Sequence, residues 1–67
     1  MDREVHKRFL RYREAFAYFA QKGHPQLNAA DFEAADTEQR TLEALGSGRS
    51  DEQEARFIEL TVLLLRD

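Results

Sequence analysis

The chain has 67 residues, with ten Lys and Arg against thirteen Asp and Glu for a formal net charge of −3, and it has no cysteine, which excludes disulfide staples, thiolate nucleophiles, Cys-ligated zinc and iron–sulfur clusters. Hydrophobic residues at 42% and charged residues at 34%, with three Gly and one Pro, are the balance of a folded domain and exclude a disordered tail or a fibrous, loop-rich architecture. No run approaches the roughly 18 apolar residues of a membrane span, and Met1-Asp2-Arg3-Glu4 has no apolar region behind it, so neither a span nor a signal peptide is expected and the chain reads as cytoplasmic.

The first segment runs to the helix stop Gly23-His24-Pro25, where Gly suits the left-handed position after a helix and Pro cannot continue the ladder. Within it Val5, Phe9, Tyr12, Phe16 and Phe19 are spaced 4, 3, 4, 3, which gathers them into an arc of roughly 80° at 100° per residue. Met1 and Ala20 continue this seam weakly. Four of its five members are aromatic, so it needs a partner helix with small residues to let the backbones approach.

A second helix starts at Asn28, placed to cap the free amides, with Asp31 as a short capping-box partner and Leu27 and Phe32 at the positions of a hydrophobic staple. Its inner arc is Phe32, Ala35, Leu42 and Leu45, with Ala34 at the edge. Gln39 and Glu38 fall on the same side. They are read either as buried partners for Arg13 or His6 or, if the helix is rotated, as solvated. The helix stops at Gly46-Ser47-Gly48-Arg49. Ser50 and Gln53 then open a third helix with a Ser-x-x-Gln box, and Asp51 and Glu52 suit the positive end of its dipole. The spacing thus predicts an all-α fold, a small antiparallel three-helix bundle with helices at roughly 2–22, 29–45 and 51–66, forming one domain over residues 1–67.

The third helix is apolar most of the way round. Phe57, Ile58, Leu60, Thr61, Leu64 and Leu65 share a broad face, Val62 lies at its margin and Leu63 points away. A helix of this kind is normally covered on more than one side, and a core this small is marginal. Leu10, Ala17, Leu60, Val62 and Leu63 are therefore the candidate interface for a homodimer or another protein partner.

Chemistry-bearing constellations are few. His6 and His24 show no metal-ligand spacing, Ser47 and Ser50 have no histidine base, and Asp31, Glu33, Asp36, Glu38 and Glu43 lie on different sides of their helix. No catalytic, metal or cofactor site is expected. The loop Gly46-Ser47-Gly48-Arg49-Ser50 has neither the Gly-Lys-Ser/Thr ending of a phosphate-binding loop nor a strand before it, and reads as a turn and cap.

Charge is unevenly distributed. Residues 1–24 hold six basic against three acidic side chains, and residues 25–67 hold four against ten. Arg3, Lys7, Arg11, Tyr18 and Lys22 project from the outer face of the first helix as a candidate polyanion surface. The competing reading is a solvated face, because Glu4 pairs naturally with Lys7 or Arg8. Eight Arg to two Lys, with abundant Ala, is a usage compatible with a GC-rich bacterial genome. A small interaction module, adaptor or regulator, is the expectation these features favour, and a nucleic-acid-binding regulator is the alternative.

Overall fold

A computed structural model describes residues 2–19 and 25–66. They form α1 (Arg3–Tyr18), α2 (Ala29–Leu45), a short 3-10 turn (Gly46–Gly48) and α3 (Asp51–Leu63), with no strand among the described residues. The second helix has the predicted bounds. The first and third are shorter than the periodicity suggested.

Each start is built by a side-chain cap. The Val5 N–H donates to the Asp2 carboxylate at 2.9 Å and the Asp31 N–H to the Asn28 side chain at 2.8 Å. At Ser50 the full box forms: the Gln53 N–H donates to the Ser50 hydroxyl at 3.2 Å and the Ser50 N–H to the Gln53 carbonyl at 2.8 Å. At Asn28 the return bond from Asp31 is missing among the described residues, because an Asp is one methylene too short to reach back. Ser50→Ala is expected to lower stability by about 1 kcal/mol in chemical denaturation; no change would mean that packing alone holds that end.

The helix ends differ in kind. Gly46 turns α2 with φ +53°, a region where only glycine is unstrained. α3 instead stops at a leucine: Leu65 has φ +58°, its N–H reaches the Val62 carbonyl and the Arg66 N–H the Thr61 carbonyl, the two bonds of a Schellman cap. Nothing in Leu63-Leu64-Leu65 signals a stop, so periodicity overran to residue 66. The turn is held from outside, by packing of Leu64 and Leu65 on the core and by the contacts of Arg66.

α2 is the central element, packed against both α1 and α3. Phe32 is fully buried, with Phe9 and Tyr12 at ring-centroid distances of 5.2 and 5.4 Å. Val5, Tyr12 and Leu64 complete the main cluster, with Phe9, Phe16, Leu27, Ala35 and Leu65 packed on it. The Leu27 N–H donates to the buried Tyr12 hydroxyl at 3.0 Å, which ties the strand of chain before α2 to α1. Arg49 clamps the second connection. It donates to the Leu42 carbonyl at 2.9 Å and to Glu54 at 2.6 Å, and its guanidinium lies 4.2 Å from the Phe57 ring centre. The only cation of the loop at residues 46–50 is thus committed to the chain itself.

Several apolar residues sit elsewhere than the helical arcs placed them. Leu60 and Leu64 are buried, as the broad face of the third helix placed them, whereas Ile58, Leu45 and Phe19, expected on inner faces, are exposed. For Ile58 the reason is that α2 covers only one side of α3, so the inner arc of α3 is narrow, centred on Leu60 and Leu64. The radius of gyration is 12.2 Å, larger than the roughly 11 Å of a close-packed chain of this length.

Candidate functional site

A buried polar cluster holds the three helices in register. Asp36, 1% exposed on α2, receives the Arg8 Nε and Nη2 at 3.0 and 2.9 Å from α1, and also Arg66 Nη2 from beyond α3. Arg66 Nη1 donates to the Gln39 carbonyl oxygen at 3.0 Å, and the Gln39 amide nitrogen lies 3.5 Å from the Thr61 hydroxyl. Burial pushes the Asp36 carboxyl up, but the hydrogen bonds from Arg8 and Arg66 and their charges outweigh it, holding the carboxyl below its ordinary 3.8. Arg8 is raised in turn, chiefly by the same hydrogen bond. Every buried side-chain nitrogen and oxygen among the described residues has a partner.

Gln39 is therefore buried, and its partners are Arg66 and Thr61 rather than Arg13 or His6. Glu38 is exposed and pairs with Arg56 at 2.8 and 2.9 Å. Asp36 was missed as a single acid among five. The signal was present: Phe32, Asp36 and Gln39 are spaced 4 and 3, which puts the carboxylate on the buried row.

The apolar surface is divided. Between α1 and α3 lies a cleft of about 490 Å³, walled by Tyr12 and Phe16 on one side and Val62, Leu63 and Leu65 on the other, with Pro25 and Glu59 at its rim. Val62 is half exposed and Leu63 partly so. Leu10 and Ala17, expected on the same interface, face a separate shallow cleft with Arg13, Glu14 and Gln26. Leu60 has to be withdrawn from the interface altogether: it is 0% exposed, enclosed by its own chain. Tyr18 and Phe19, 84% and 63% exposed, form an edge-to-face pair at 5.0 Å, so Phe19 does not join the packed seam it was expected to extend.

On the outer face of α1, Arg3, Lys7, Arg11 and Tyr18 are all exposed, and Lys7 approaches Glu4 at 3.7 Å. Lys22 and His24 lie outside the described residues. Among the described residues no group of three or more His, Asp or Glu is placed to hold a metal ion, and no helix is long and apolar enough to cross a membrane. Comparison with protein-family models, with curated proteins and with solved structures finds no match to this chain.

Proposed function

We propose that this chain is a protein–protein interaction module, an adaptor or regulator without catalytic activity, which associates with a second copy of itself. The observation that carries this is the cleft of Tyr12, Phe16, Val62, Leu63 and Leu65, a largely apolar groove in which Val62 is half exposed and Phe16, Leu63 and Leu65 are partly so. Its accessible surface, 5021 Å², exceeds the roughly 4400 Å² expected for a monomer of this mass. A helix from another protomer laid into such a groove, related by a two-fold axis, is the simplest cover. The order of the contacts supports an antiparallel course for α2 against α1: Phe9 and Tyr12 meet Phe32 while Arg8 meets Asp36.

Association and folding are separable on this reading, because Phe32, Leu60 and Leu64 are enclosed within one chain whereas Val62 and Leu63 line the cleft. Val62→Glu and Leu63→Glu are expected to weaken self-association by at least about tenfold, a loss of about 1.4 kcal/mol or more, with helicity retained. Light scattering and circular dichroism on the same samples check this. Association that survives both substitutions would remove the cleft as the interface.

Arg11, exposed and without an ion-pair partner among the described residues, and the exposed ring of Tyr18 support a second reading, a regulator that binds nucleic acid along the outer face of α1. It requires affinity that falls steeply with salt and is lost on reversing the charges of Lys7 and Arg11.

A further inference from the structure

We propose that the cleft framed by Arg8, Arg11 and Arg66 is a binding site for a small phosphomonoester. The cleft, about 310 Å³, has these three arginines on its wall together with Ala15, Leu64 and Leu65. Two of the guanidiniums converge on one carboxylate, Asp36, which neutralises one positive charge. Arg11 has no ion-pair partner among the described residues: Glu14, three residues on, lines the separate cleft with Leu10 and Ala17, and Glu4 is engaged by Lys7 at 3.7 Å. Among the described residues of the cleft, three arginines stand against the one carboxylate of Asp36, a surplus of two positive charges.

That surplus sits on side chains already held in place. Arg8 spends Nε and Nη2 on Asp36 and keeps Nη1, while Arg66 spends Nη1 on Gln39 and Nη2 on Asp36 and keeps Nε. Both are only about one-quarter exposed, at 24% and 23%. Little rotamer entropy is left to lose when they meet a ligand, and guanidinium forks match phosphate oxygens in geometry. A phosphomonoester carries close to two negative charges at neutral pH and so balances the surplus, where a carboxylate would balance half of it. Ala15, Leu64 and Leu65 offer the organic part an apolar wall. The volume is at the lower end of small-ligand sites, which suits a small molecule and excludes a helix.

The test is a titration of the isotope-labelled full chain with phenyl phosphate, followed by NMR. Saturable shifts are expected at the Arg11, Ala15 and Leu65 amides and at the Arg8 and Arg66 Nε–H groups. Inorganic phosphate should move the same signals at higher concentration, and benzoate should bind about tenfold more weakly than phenyl phosphate. Arg11→Gln, which leaves the Asp36 cluster intact, should weaken binding about tenfold, and Lys7→Gln by less than about twofold. The proposal is overturned by an absence of saturable shifts, by unchanged binding in Arg11→Gln, or by an equal loss in Lys7→Gln, which would mark diffuse attraction to the basic face. Tighter binding of an unphosphorylated single-stranded oligonucleotide to the same residues would overturn it too, by assigning the arginines to backbone phosphates.

Discussion

Asp36→Ala is expected to lower the unfolding free energy by about 3 kcal/mol, because it leaves Arg8 and Arg66 converging on an empty, buried position. For a chain of 67 residues total stability is about 3–10 kcal/mol, so the variant is either largely unfolded at the outset or shows a urea midpoint lowered by about 3 M for a slope of about 1 kcal/mol/M. Both arginines retain some contact with water, which keeps the cost at the lower end for a broken buried pair. The cost belongs to the stranded charges rather than to the loss of a strong bond. Replacing all three groups together, as Arg8→Met with Asp36→Leu and Arg66→Met, is therefore expected to recover most of the lost stability. A triple variant as unstable as Asp36→Ala would contradict that explanation. The pH dependence has a definite sign. The Asp36 carboxyl is held below its ordinary 3.8, so its contribution is complete above that value and is lost as pH falls through the lower folded-state pKa. Acid unfolding of the wild type should include this component, and Asp36→Asn should lack it.

Phe32→Ala is expected to cost about 3–5 kcal/mol, the range for a fully buried aromatic. Phe32 is the common neighbour of Phe9 at 5.2 Å and Tyr12 at 5.4 Å, and the Arg66 guanidinium carbon lies 5.9 Å from its ring centre. Removing the ring therefore opens a cavity shared by α1, α2 and the turn after α3. Near-ultraviolet circular dichroism should lose its aromatic signal along with the thermal transition. Phe32→Leu keeps most of the volume and should cost less. Equal effects of the two substitutions would show that the site collapses freely around whatever occupies it.

What the sequence made legible was local. Asn28, Gly46, and Ser50 with Gln53 are signals contained within a few residues, and the start and end of α2 and the start of α3 that they mark are where they were expected. The end of α3 was not legible, because its stop is a leucine in a left-handed conformation held by contacts with residues far away in the chain. The polar centre was hidden for the same reason. Arg8 is 28 residues from Asp36 and Arg66 is 30, and along the sequence Arg8 looks like a surface partner of Glu4. Helical arcs gave the apolar stripe of α1 correctly at Tyr12 and Val5. They could not say that α2 would cover α3 on one side only, and this decides that Leu60 is core while Ile58 and Val62 face solvent.

The claim on which the functional account depends is that a second copy covers the cleft between α1 and α3. Sedimentation equilibrium of the intact chain at high micromolar concentration tests it most directly. The account predicts a mass near twice 7.8 kDa, falling towards the single-chain value on dilution and in Val62→Glu. A species of 7.8 kDa throughout the concentration range, from protein that is fully folded, would contradict it.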